Sequence, residues 1–240
     1  MRIELDIEVR KPFLPIFEGA ARFWVVVAHR RGGKTTASVQ RLIHASMSSP
    51  PKNARYAYIA PYRHQAKTIA WDLLKRMTQD IPSRDINESE LRMDMPTGAR
   101  LTLYGADNYD ALRGGYLDGV VLDEVAQMPP ETWTHVVRPM LADRKGWALF
   151  IGTPAGKNAF FSLYEHAQSS GPEWATLFLP ASLTGLVDPD ELAAAKDEMT
   201  PEAYAQEFEL SWTAAIRGAY YGQVLEDLER EGRMIPLDID

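Results

Sequence analysis

Residues 23–28, Phe-Trp-Val-Val-Val-Ala, form an apolar run that leads into His29-Arg30-Arg31-Gly32-Gly33-Lys34-Thr35-Thr36. That order of residue types suits phosphate binding. Gly32 and Gly33 let backbone amides turn toward an anion with no side chain in the way. Lys34 can reach the outer phosphates, and Thr35 offers a hydroxyl to a magnesium ion. The pattern G-x-x-x-x-G-K-[ST] has Ala28 at its first position, and the rest agrees. A glycine turn followed by a solvated lysine is the bland alternative. Placement argues against it: a buried strand precedes the loop, and the helix after it adds its N-terminal dipole to the anion field.

A second apolar strand, Gly119-Val120-Val121-Leu122-Asp123, ends on the pair Asp123-Glu124. Carboxylates at the end of a buried strand are costly unless they face a polar site. Asp123 suits the magnesium shell, and Glu124 suits orienting and deprotonating a water for attack on a γ-phosphate. A third strand ends at Ile151-Gly152-Thr153-Pro154. Thr153 there can sense the γ-phosphate, although a plain exit from strand to turn explains the same residues. Tyr62-Arg63-His64-Gln65 reads either as a contact to a nucleic-acid backbone or as a polar helix cap.

The elements that position these residues alternate. Strands are expected at 23–28, 55–60, 119–123, 147–152 and 174–179, and a hairpin at 90–95 and 99–104. Helices are expected at 34–47, 62–79, 130–142 and 158–169, with acidic helices at 189–198 and 201–210. This is an α/β protein with a mostly parallel sheet, helices on both faces and an added hairpin. In such a sheet ligands bind at the carboxyl ends of the strands, where the loops after residues 28, 60, 123 and 152 should meet. Residues 1–212 read as one domain with an acidic helical segment at 188–212, and 213–240 as a linker.

Composition narrows the function. Hydrophobic residues are 45% and charged residues 25% of the 240, enough for one substantial core. No run of about 18 apolar residues exists, so no membrane span is expected. With no cysteine there is no disulfide framework, and His29, His44, His64, His135 and His166 lack ligand spacing for zinc. Lys plus Arg is 26 against 33 Asp plus Glu, a formal charge of −7, which argues against coating nucleic acid by bulk charge. A local basic surface remains open, since residues 52–76 hold Lys52, Arg55, Arg63, Lys67, Lys75 and Arg76. No N-K-x-D guanine motif and no L-S-G-G-Q-like segment occurs, which disfavours a GTPase and a transporter ATPase.

Taken as an ordered group, the arginine-bearing loop HRRGGKT, the strand end VVLDEV, the upstream Leu112-Arg113-Gly114 and the IGTP turn resemble the ATPase domain of tailed-phage terminase large subunits. The resemblance runs from about residue 10 to 215. It implies a P-loop NTPase of the additional-strand catalytic-glutamate, RecA-like type, with ATP and Mg2+. It implies hydrolysis coupled to packaging double-stranded DNA into a procapsid, in the cytoplasm of an infected bacterial host. Implied partners are DNA, a portal protein, the terminase small subunit and further copies in a ring of five, with no membrane. By match, Arg30 serves the subunit's own nucleotide, and Arg113 reaches a neighbour's ATP or anchors a turn by a salt bridge. The family's upstream glutamine is replaced here by Arg10-Lys11-Pro12-Phe13-Leu14-Pro15, so Phe13 or Phe17 is left to pack on the base. The family's second, nuclease domain has no counterpart within these residues. The competing readings are the core of a helicase-like translocase and a nucleotide-regulated module that does not turn over.

Overall fold

The computed structural model describes residues 7–213 and residue 233. The expected linker therefore lies almost wholly outside the described residues. Eight strands form one sheet: β1 Phe23–Ala28, β2 Arg55–Ala60, β3 Asp85–Asn87, β4 Arg92–Asp94, β5 Arg100–Gly105, β6 Gly119–Asp123, β7 Trp147–Gly152 and β8 Trp174–Leu179. Their spatial order is β3-β4-β5-β2-β6-β7-β1-β8. From β8 across to β5 every pairing is parallel, and β3-β4-β5 is antiparallel. β7 is inserted between β1 and β6, so the strand that carries the glycine loop and the strand that carries the carboxylates are separated by one strand.

The expected hairpin is present as β4 and β5. β3 was not legible, being three residues without an apolar pattern. Besides the short helical turns Pro15–Glu18 and Ala181–Thr184, the helices are α1 Lys34–Met47; α2, continuous through Arg63–Gln65, Ala66–Trp71 and Asp72–Met77; α3, built of Thr132–Val137 and Arg138–Met140; α4 Ala159–Ser169; α5 Pro189–Glu198; and α6 Pro201–Glu207. The middle segment of α2 and the first segment of α3 are π-helical. The last helix is three residues shorter than its acidic pattern suggests. α4 starts where Asn158 caps it, accepting from the amides of Phe160 and Phe161.

Each face of the sheet buries its own core. Under α1 and α2 lie Val26, Tyr58, Val121, Leu149 and Ile151; under α3 and α4 lie Val25, Val27, Leu122 and Phe150, with Phe160 of α4 packed against them. Alternate residues of β1 are thus apolar in both directions, and Val25, Val26 and Val27 are all fully buried. A strand of that kind suits the middle of a parallel sheet covered on both sides. Among the described residues no helix is long and apolar enough to cross a membrane.

Candidate nucleotide site

Parallel pairing of β1 with β7 and of β7 with β6 brings the ends of three strands to one edge of the sheet. β1 opens into the glycine loop. Gly33 sits at φ +94°, a left-handed conformation that glycine adopts without a Cβ penalty, and α1 begins at Lys34. Lys34 is nearly buried at 9% exposure. Its Nζ donates to Thr153 Oγ1 at 2.9 Å and lies 3.3 Å from Glu124 Oε1. The Thr153 hydroxyl in turn points to the carbonyl of Ala28 at 3.4 Å. The loop lysine, the carboxylate after β6 and the threonine after β7 are therefore one cluster.

Asp123 lies beneath it, 4% exposed. The Thr35 hydroxyl donates to Oδ2 at 3.2 Å, the Tyr58 hydroxyl donates to the same oxygen, and the Glu124 amide donates to Oδ1 at 2.9 Å. Burial first, and the neighbouring Glu124 charge second, push the Asp123 carboxyl up to about 6, against the hydrogen bond from Tyr58, the Lys34 charge and the Thr35 hydroxyl. Burial and the Asp123 charge also raise the Tyr58 phenol well above its ordinary value, which keeps it a neutral donor. The pair Thr35 Oγ1 and Asp123 Oδ2 fits magnesium. Both are hard oxygens, and their 3.2 Å separation is close to the roughly 2.9 Å between adjacent ligands of an octahedral ion with bonds near 2.0–2.1 Å. Among the described residues no group of three or more His, Cys, Asp or Glu is arranged around a metal. Two protein oxygens completed by phosphates and water is the usual magnesium arrangement.

Glu124 itself adopts φ +53°, ψ +47°. A non-glycine residue in that region is disfavoured by on the order of 1 kcal/mol or more, and such strain persists where the surroundings over-determine it. Here the Glu124 amide is held by Asp123, and its carbonyl accepts from Gln127 at 2.9 Å. The result is a carboxylate turned from the end of the strand toward Lys34.

The remaining expected residues divide. Arg31 and Thr36 lie in the loop and in the first turn of α1, with Arg31 exposed at φ +65°. Arg30 is exposed. Its guanidinium stands 3.6 Å from Glu207, and its amide donates to the Glu207 carbonyl at 3.0 Å. Next to it, Gln206 Nε2 donates to the Pro154 carbonyl at 2.9 Å. The end of α6 thus touches both the glycine loop and the turn after Thr153. His29 corrects an expectation, because its side chain is turned into the protein and fully buried. Its Nε2 bonds Thr184 Oγ1 at 2.8 Å, its Nδ1 bonds the Arg30 carbonyl at 2.7 Å, and burial lowers its pKa. It shapes the loop; its ring does not face a phosphate.

Phe13 is a second correction. The turns Lys11–Phe13 and Pro15–Glu18 drive Phe13 and Ile16 into the core at 1% and 3% exposure, leaving no ring face for a base. Phe17 is half-buried and packs edge-on against His44. Arg113 stands apart from the cluster, exposed, with Nε 2.7 Å from Asp110 Oδ1. Tyr62 is exposed and stacks on His64, while Arg63 donates to the Ser89 carbonyl at 2.7 Å. One contact escaped the sequence altogether: Arg10 lies over the glycine loop and donates to the Gly32 carbonyl at 3.1 Å. No local pattern marks an arginine more than twenty positions upstream as part of a loop.

The family model for "Terminase large subunit, T4likevirus-type, N-terminal" matches residues 26–238. The terminase large subunit of Thermus phage G20c is 29% identical over 170 residues, covering 63% of this chain and 35% of that protein. The chain thus spans about a third of the length of this relative. Among solved structures, the large terminase ATPase domain of Thermus phage P74-26 superposes with a TM-score of 0.70 at 21% identity, over 83% of this chain and 92% of that one. The large terminase of the thermophilic bacteriophage D6E, solved with ADP, gives 0.69 at 16% identity, over 85% and 53%. These likenesses agree with the strand order and the loop geometry: the fold is a RecA-like P-loop fold, and the chain belongs to the terminase large subunit family, matching its N-terminal part.

Proposed function

We propose that this chain hydrolyses ATP with magnesium, and that hydrolysis drives double-stranded DNA into a procapsid. The observation that carries the reading is the position of Lys34 Nζ, within hydrogen-bonding or ion-pairing reach of Thr153 and Glu124 at the mouth of the glycine loop. The loop amides and Lys34 bind and orient the triphosphate. Thr35 and Asp123 would hold the magnesium ion, which when bound would supply positive charge to offset that of the phosphates. Glu124 orients a water and takes its proton, and Thr153 reports whether a γ-phosphate is engaged by Lys34. Arg30 reaches the subunit's own nucleotide once it leaves Glu207. Arg113, exposed and remote from Lys34, acts on the nucleotide of an adjacent copy in a ring of five seated on a portal. The small terminase subunit presents the DNA, in the cytoplasm of the infected host.

Family membership supports the assignment, as does the nature of the similar folds: an ATPase domain in phage P74-26, and a D6E terminase solved with ATP-gamma-S as well as ADP. Steady-state phosphate release, measured with and without DNA and portal, tests it. Slow magnesium-dependent turnover by the isolated chain, stimulated on assembly, is expected. No turnover under any of these conditions would reject the reading.

A further inference from the structure

Arg10 belongs to the segment before the first helical turn, which is pinned to α1 by Gln40, whose Nε2 donates to the Glu8 carbonyl at 2.8 Å. From there the Arg10 guanidinium crosses onto the glycine loop. Its Nη1 donates to the Gly32 carbonyl at 3.1 Å and reaches the Arg31 carbonyl at 3.5 Å. A Cβ built on Gly33 would lie 3.1 Å from the same nitrogen. The guanidinium therefore rests directly on the loop, on the side where the loop's carbonyls emerge.

In a trans peptide the C=O and the N–H point to opposite sides of the chain. The Gly32 carbonyl shares its peptide with the Gly33 amide. A guanidinium that draws that carbonyl outward turns the Gly33 N–H inward, toward the space where phosphates bind. The peptide needs such a hold. Arg31 and Gly33 are both left-handed, at φ +65° and +94°, and glycines on each side of the bond leave its plane soft. Hydrogen bonds from a charged donor are about twice as strong as neutral ones, so Arg10 is well suited to fix it.

We infer that Arg10 is a positioning residue for the phosphate loop: it sets the Gly32–Gly33 peptide so that its amide faces the nucleotide phosphates. This rests on the reading of residues 28–36 as a phosphate loop. It assigns the segment upstream of β1 a role on the phosphates, where a base contact through Phe13 had been expected.

The test uses the full chain and two probes with magnesium, ADP and inorganic tripolyphosphate. Arg10→Met should weaken both by about 10-fold, equivalent to about 1.4 kcal/mol. The KM for ATP should rise by a similar factor, kcat should stay within about twofold, and the melting temperature should fall by no more than about 3 °C, since Arg10 is exposed. Loss confined to ADP would make Arg10 a base contact and overturn the inference. So would unchanged affinity for both probes, or a loss that only tracks a large fall in melting temperature. If Arg10→Met does not fold, Arg10→Lys carries the test: a smaller loss for both probes is expected, and no loss overturns it. Lys34→Ala separates the two levels. If it abolishes binding while the Arg10 variants bind normally, Arg10 alone was misjudged. If Lys34→Ala binds both probes normally, the loop is not a phosphate site.

Discussion

Lys34, at the start of α1, and Thr153, after β7, are joined by a 2.9 Å hydrogen bond from Nζ to Oγ1, and the threonine passes that bond on to the Ala28 carbonyl. In the proposed function, a γ-phosphate that recruits Lys34 competes with this bond, and Thr153 would register its arrival. Thr153→Val keeps shape and removes the hydroxyl. ADP, which lacks the γ-phosphate, should bind within about threefold of wild type, while kcat for ATP falls about 10-fold, roughly 1.4 kcal/mol of transition-state stabilisation. Equilibrium binding and single-turnover kinetics check both. Equal losses for ADP affinity and turnover would give Thr153 a purely structural part.

Tyr58 donates to Asp123 from the neighbouring strand and is almost completely buried. Partners of this kind orient a metal-binding carboxylate, and losing one costs about 10–100-fold in metal affinity or activity. Tyr58→Phe should therefore raise the magnesium concentration needed for half-maximal turnover by about 10-fold. Magnesium titration of phosphate release reads this directly. An unchanged requirement would mean that Thr35 and the Glu124 amide orient Asp123 unaided.

Much of this arrangement was legible in the sequence. β1, β2, β6, β7, β8 and α1 lie where periodicity and glycine placement put them, because a buried strand feeding a glycine turn is a local signal. Asp123 and Glu124 could be found because two carboxylates closing an apolar run demand a polar neighbourhood. What stayed hidden depends on contacts between distant residues. His29 is buried because Thr184 lies beside it, 155 positions on. Arg30 meets Glu207 only after the chain has passed through β8 and α5. Phe13 was misjudged because an aromatic ring near a nucleotide loop and one filling a core have the same local sequence. Only the packing of Phe13 and Ile16 beneath the sheet decides between them.

Arg113 is exposed and its side chain pairs with Asp110 three residues earlier. An exposed pair of this kind contributes about 0–1 kcal/mol. Arg113→Ala should then leave folding and nucleotide affinity nearly intact and remove the stimulation expected on assembly, where a finger arginine is worth about 10³–10⁵ in rate. Mixed rings of Arg113→Ala and Glu124→Gln subunits should regain part of the activity, because a subunit with an intact Glu124 can receive arginine from its neighbour. Mixtures as inactive as either parent would confine Arg113 to its turn.

Glu124→Gln tests the central claim that the cluster at the sheet edge hydrolyses ATP. The substitution keeps size and removes both the base and the negative charge 3.3 Å from Lys34. ATP affinity and phosphate release, measured on the same preparation, give the comparison. ATP should bind at least as tightly as to wild type, because Lys34 is no longer drawn to a carboxylate, and turnover should fall by about 10² or more, the contribution of a positioned general base. Turnover near the wild-type rate, or a loss of binding as large as the loss of turnover, would contradict the account.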